Sequence, residues 1–252
     1  MEKLNLNRAI RKSFAILFWI VLWQLISNIV GKELLIASPA SVVKSLIKLW
    51  GEGSFWSSLW FTFARISLGF IFAMIIGVLM AIATSRHVFL RELVSVPMSI
   101  IKAVPVASFI IIALIWISSR NLSIFISFLM VLPIFYTNIL KGIEGVDKQL
   151  LQMTKVFEVG SMKKIRFVYI PQIMPYFISS ATVSLGLCWK AGIAAEVIGI
   201  PTGSIGEKLY QSKIFLNTSE LFAWTIIIIV ISVIFEKIFL FMLKKLEDSI
   251  YC

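Results

Sequence analysis

The stretch Phe63–Thr84 reads FARISLGFIFAMIIGVLMAIAT, and it contains no ionisable residue after Arg65. At about 1.5 Å per residue, a helix of this length crosses the ~30 Å hydrocarbon core of a bilayer. Apolar residues would occupy every side of that helix, whereas a surface helix of a soluble protein has one apolar face. The stretch therefore predicts a membrane-spanning helix.

Similar apolar runs occur along the rest of the 252-residue chain, and 59% of all residues are hydrophobic while 15% are charged. Soluble domains have about 45–50% apolar and about 25% charged residues. A buried soluble core is the alternative, but helices that are apolar on all sides argue against it. The runs predict about six spans, at Phe14–Val30, Phe63–Thr84, Val94–Ser118, Leu122–Leu140, Gln172–Ala194 and Leu221–Leu243. All must be helical, because lipid offers backbone groups no hydrogen-bond partner.

The net charge of +11 could indicate nucleic-acid binding, but the Lys and Arg residues lie between the apolar runs. They are concentrated in segments 1–12, 86–91, 141–166 and 244–245, which alternate with segments that carry fewer. The positive-inside rule then places both termini in the cytoplasm, and we expect no nucleic-acid partner. The first run lacks a small-residue cleavage site, so we expect a retained helix and not a signal peptide.

Two connecting segments on the opposite side are long. Pro39–Leu49 has apolar residues at helical spacing, which predicts a helix lying on the membrane or on the bundle. Glu196–Glu220 is rich in Gly and Pro, and we expect it to fold back towards the bundle.

The longest loop on the cytoplasmic side is Lys141–Tyr169. Asp147 is a candidate N-cap, and Leu150, Thr154 and Phe157 follow at positions i, i+4 and i+7. The spacing predicts a short amphipathic helix. It could be an ordinary connecting helix at the membrane surface or a docking element.

This loop resembles the EAA loop of ABC importer permeases, whose pattern is Glu-Ala-Ala, a glycine after three further residues, and a final Ile-x-Leu-Pro. Gln152, Met153 and Thr154 occupy the first three positions, and Glu158 occupies that of the glycine. Val168, Ile170 and Pro171 match the end of the pattern. Because Glu158 stands where the pattern has a conformationally permissive glycine, the sequence alone does not fix the geometry of this turn.

Flanking segments resemble the nitrate/sulfonate/taurine-type branch of the binding-protein-dependent transport inner-membrane component family. They are Phe63–Phe70 (FARISLGF), Lys102–Pro105 (KAVP), Ala113–Trp116 (ALIW), Trp189–Gly192 (WKAG) and Ala194–Gly199 (AAEVIG). The resemblance implies an all-α polytopic bundle with the type I ABC importer permease (MetI-like) fold. It implies a core domain at 60–246 with a coupling loop at 141–171, preceded by an N-terminal helix and amphipathic segment at 1–59 and followed by a tail at 247–252.

The resemblance also implies a function and partners. A permease of this type resembles half of a pore, usually a homodimer, and passes a small solute, here an anion such as nitrate, a sulfonate or taurine. An extracytoplasmic binding protein delivers the solute, and a cytoplasmic ATPase carries ATP and Mg²⁺. The coupling positions are Gln152, Met153, Thr154, Phe157, Glu158 and Pro171. The chain contains no P-loop sequence, so we expect no cofactor in it and no enzymatic activity of its own.

Ionisable residues within predicted spans are costly in lipid and are therefore candidates for the translocation path. The candidates are Arg65, Lys102, Lys190 and Glu196, whereas Glu236 and Lys237, near the inner end of the last span, are interpreted as an anchor. Lys102 could instead extend to the headgroups. Lys190 and Glu196 could pair only if the helix breaks near Gly192, and Arg65 is another candidate partner for Glu196. Structural pairing or interfacial anchoring is the alternative.

Small residues are frequent in the fifth span, from Ser179 to Gly186. They predict either packing within the subunit or a face towards the pore or a second copy. Pro105 and Pro133 predict kinks. A lone His87 and the absence of a Cys/His cluster argue against a metal site. The competing functions are an ion-coupled secondary transporter, which would need intramembrane carboxylates, and a membrane-embedded enzyme, which would need converging polar groups.

Overall fold

A computed structural model describes the backbone of residues 2–251 and the side chains of Arg11 and residues 14–248. Most basic side chains before Phe14, the end of the predicted tail and Cys252 lie outside this description. Within it, the chain forms α-helices, one π-helical turn and no strand. The helices are α1 (Glu2–Val30), α2 (Pro39–Trp50), α3 (Gly53–Thr84), α4 (Val88–Ala103), α5 (Val106–Ala113), α6 (Ser119–Glu144), α7 (Lys148–Val156), α8 (Ser161–Lys164), the π-helical turn (Ile165–Tyr169), α9 (Ile170–Gly199), α10 (Ile205–Ile214) and α11 (Thr218–Tyr251).

Four of the described helical segments are long and apolar enough to cross a membrane: α3, α6, the segment Ser161–Gly199 that includes α9, and α11. They contain the second, fourth, fifth and sixth predicted spans. The apolar part of α1, Phe14–Val30, is shorter. The all-helical prediction is confirmed.

The third predicted span, Val94–Ser118, is wrong as one continuous helix. It consists of α4 and α5, which meet at an angle of 104°. Pro105 has no N–H and disfavours helical geometry at the residue before it, and Val104 is accordingly extended at φ −78°, ψ 133°. The kink predicted at Pro105 is a sharp break in the structure, so the described residues contain four long spans and one bent pair, with α1 beside them. By contrast, α6 continues as one helix through Pro133.

The core lies between α3, α6 and α9, where Phe70, Phe135 and Leu185 are almost completely buried. Gly69 allows α3 and α6 to approach closely, because a Cβ atom at this position would collide with the carbonyl oxygen of Ile124. Such close approach drives helix association in lipid. One apolar side of α11, with Val230, Ile234 and Phe241, is exposed and is left uncovered by the rest of the chain.

The bundle has two unlike ends. At one, which we call the α10 end, α2 and α10 pack against α11 through buried Val42, Ile205 and Trp224. The predicted surface helix thus lies on the bundle, and the Gly- and Pro-rich segment does fold back. At the other, the α7 end, α7 and α8 connect α6 to α9.

Candidate functional site

Glu196, one of the predicted path residues, is completely buried in α9 at the α10 end. Its Oε2 accepts hydrogen bonds from the Thr62 hydroxyl at 2.7 Å and from the Gly206 N–H at 3.3 Å. The Thr62 oxygen in turn accepts from the Ile205 N–H at 3.0 Å. These two N–H groups belong to the first turn of α10, which has no intrahelical partner for them. Glu196 and Thr62 therefore fasten the returning segment to α3 and α9.

Arg65, a candidate partner for Glu196, forms no ion pair with it. Its Nε donates to the carbonyl oxygen of Arg120 at 2.7 Å, and its guanidinium lies 3.6 Å from the centroid of the Phe61 ring. The hydrogen bond to Arg120 holds the start of α6 against α3, whereas the contact with Phe61 lies within α3. Arg120 also lines a cleft at the α10 end, together with Phe61 and Pro201.

Lys102 lies exposed in the last turn of α4, directly before the sharp bend. Its Nζ donates to the Thr137 hydroxyl of α6 at 3.3 Å, and that hydroxyl donates to the Pro133 carbonyl at 2.7 Å. The contact keeps this charge beside α6 and the bend.

Lys190 is exposed on α9, on a face that also presents Ser179 and Thr182. Ser180 and Ser184 are buried and lie on the other side of the same helix. The small residues of this span thus divide between packing inside the chain and an open face. The helix does not break at Gly192, which sits against Ile66 and Ser127, so Lys190 and Glu196 remain apart.

At the α7 end, α7 begins as predicted, because the Asp147 side chain accepts a hydrogen bond from the Gln149 N–H at 2.7 Å. None of the residues of α7 is buried. Leu150, Met153 and Phe157 are 41%, 53% and 71% exposed and follow one face. Thr154, which the sequence placed on that face, is half-buried and donates to the Leu151 carbonyl. Gln152 is exposed beside the apolar residues.

Glu158 ends α7 in the left-handed conformation, at φ 49°. Its N–H bonds to Lys155 O at 3.2 Å and the Val159 N–H to Thr154 O at 2.9 Å. This is a Schellman motif, whose left-handed position is usually glycine. The turn that the glycine would favour is therefore formed in this chain despite the Glu side chain.

A π-helical turn, which was not predicted from the sequence, lies between α8 and α9, and in it the Ile170 N–H bonds to Ile165 O, five residues back. Pro171, the second residue of α9, follows it at once. Because Pro171 has no N–H to donate, the regular ladder is interrupted there. Pro171 was the residue from which an interruption of the helix could have been predicted.

A family model described as the binding-protein-dependent transport system inner membrane component matches residues 73–250. A Bacillus subtilis protein provisionally named aliphatic sulfonates transport permease protein SsuC is 24% identical over 234 residues, covering 90% of this chain and 83% of that protein. The taurine transport system permease protein TauC of Escherichia coli is 22% identical over 222 residues, with coverages of 86% and 80%.

The nitrate import permease protein NrtB of Synechocystis is 21% identical over 247 residues, covering 93% of this chain and 88% of that protein. Among solved structures, the crystal structure of an amino acid ABC transporter with histidines matches with a TM-score of 0.50 and 18% identity, covering 83% of this chain and 94% of that one. This last likeness concerns the fold.

Proposed function

The chain belongs to the family of binding-protein-dependent transport system inner membrane components and is the permease subunit of an ABC importer, and on this premise we propose that α7 docks on a cytoplasmic ABC ATPase. The coupling element is segment 141–171, within a core domain at 60–246. Its contact residues are Gln152, Met153 and Phe157, while Thr154, Glu158 and Pro171 shape the loop.

The observation that carries this proposal is the exposed apolar face of α7. The nine-residue helix α7 buries none of its side chains within the chain, so packing inside the permease does not account for its apolar face. An apolar helix face that fits into a groove of a partner is a common mode of recognition. Because α7 continues through α8 and the π-helical turn into α9, its displacement would move a core helix. ATP and Mg²⁺ belong to the partner in this scheme.

The orientation follows from charge. We place the α7 end, and with it both termini, in the cytoplasm, because the loop Lys141–Tyr169 and the turn after α3 carry a concentration of Lys and Arg. The permease then lies in the cytoplasmic membrane with its α10 end on the outer side, where it faces the extracytoplasmic binding protein.

For the solute, we propose a small anion. Arg65, Lys102 and Lys190 are cations inside or at the ends of spans, and cations there favour anionic ligands. The similar proteins are named for nitrate, taurine and sulfonates, which agrees with this class. We assign the open face of α9 with Lys190 to the path, completed by a second copy of the permease. Glu196 serves as an anchor of α10, since it is fully buried.

Co-purification of the permease with its ATPase tests the docking. We expect Met153→Glu and Phe157→Glu each to weaken the association about 10- to 100-fold, because each removes roughly 1.5–3 kcal/mol of apolar burial. Lys155→Gln is the matched control, since it makes the same change in charge on the opposite side of α7. Wild-type association of both Glu variants, with transport retained, would rule out this face.

A further inference from the structure

A cleft of about 910 Å³ opens at the α7 end, between the last turns of α3, α6 and α11 and the start of α9. Its inner walls are apolar and include Val78, Ile139, Phe177 and Phe239. The volume falls at the upper end of the roughly 300–1,000 Å³ that is typical of pockets for small ligands. An apolar ligand segment would fit its depth.

The rim of the cleft is polar and basic. Arg86, Lys164, Tyr169 and Glu144 line it. The Glu144 carboxylate is engaged by Arg91 in an ion pair, whereas Arg86 and Lys164 form no ion pair within the described part of the chain. The Lys164 Nζ lies 6.0 Å from the centroid of the Tyr169 ring. Two cations without an ion-pair partner thus lie at the rim of a cleft whose inner walls are apolar.

Lipid can reach this cleft. One of its walls is the end of α11, where the lining residues Met242 and Leu246 are each 56% exposed. Arg86 directly follows the last turn of the spanning helix α3, which is where the headgroup region begins. Basic pockets between spanning helices on the cytoplasmic side favour anionic lipid headgroups.

We propose that the cleft binds an anionic phospholipid, with its phosphate between Arg86 and Lys164 and an acyl chain along the apolar walls. Residues Ser161, Ile165 and Ile170 also line the cleft. The bound lipid therefore contacts the segment that joins α7 to α9, and it braces this connection. The binding itself does not depend on ATPase docking.

Native mass spectrometry of the full-length chain in detergent, titrated with phosphatidylglycerol or phosphatidylcholine, tests the proposal. We expect preferential retention of phosphatidylglycerol. Arg86→Gln and Lys164→Gln should each weaken it about fivefold, since a cation near the membrane surface contributes roughly 1 kcal/mol. Lys163→Gln is the matched control, because this lysine neighbours Lys164 but does not line the cleft. Equal retention of the two lipids, or equal retention by all three variants, overturns the proposal.

A second pair of variants tests the apolar part without a change of charge. Ile82 lines the cleft and Leu79 does not, although both are exposed on α3. We expect Ile82→Trp to reduce retention of both lipids and Leu79→Trp to leave it unchanged. Wild-type retention by Ile82→Trp overturns the placement of the acyl chain. Dimers of the chain that exclude the lipid would assign the cleft to a second copy and would also overturn the proposal.

Discussion

The Glu196 carboxylate of α9 accepts a 2.7 Å hydrogen bond from the Thr62 hydroxyl of α3, across 134 residues of sequence. The same two side chains accept the first free N–H groups of α10. A carboxylate at the start of a helix is favoured because it meets the positive end of the helix dipole. This junction explains how an ionisable residue is retained in a spanning helix.

Thr62→Val should destabilise the protein by about 1–3 kcal/mol, because it leaves the Ile205 N–H and the carboxylate without the shared hydroxyl. The measurement is the temperature at which detergent-extracted protein loses its monodisperse elution profile. Thr182→Val is the control, since the Thr182 hydroxyl bonds only within its own helix, to Ile178 O. If both variants melt like the parent, the junction does not stabilise the fold.

Gly69→Ala should cost about 1–3 kcal/mol, because the added methyl group meets the backbone of α6 and the helices must separate. Gly186→Ala is the matched change on α9, where a Cβ atom meets nothing within 4 Å. It should be neutral or stabilising, since alanine favours helices over glycine. The yield of folded protein in the membrane distinguishes the two, and similar losses would contradict the close approach.

Glu158→Gly should stabilise the end of α7 by up to about 1 kcal/mol, because a left-handed residue other than glycine costs roughly 1–2 kcal/mol, part of which glycine loses again in chain entropy. Glu158→Val should destabilise it. Hydrogen exchange of the Val159 amide measures both effects, since this group closes the motif. Equal exchange rates in the two variants would show that the turn does not need this conformation.

Lys190→Ala should abolish solute uptake while the permease stays in the membrane and binds its ATPase. The expected cause is the loss of the exposed cation on the open face of α9. Lys213→Ala, which removes an exposed cation from α10, should leave uptake close to the parent level. Normal uptake by the Lys190 variant would remove this residue from the path.

Several features of the fold were predictable because they depend on residues close together in sequence. The apolar runs located the long helices, Asp147 marked the start of α7, and the proline at position 105 marked an interruption. The exposed apolar face of α7 was predicted in outline, although Thr154 lies off it, because a one-residue shift around a short helix changes which side faces the bundle.

What the sequence determined by itself is the long apolar helices, the short helices α2 and α7 and the cap at Asp147, since propensity, hydrophobic period and capping act within a few residues. Only the tertiary structure decided that α4 and α5 meet at 104°, that Glu196 pairs with Thr62 and not with Arg65, and that Arg86 and Lys164 line the same cleft. Those outcomes depend on which helices pack together and at what height, and side chains far apart in the chain set that arrangement through close packing and shared hydrogen bonds.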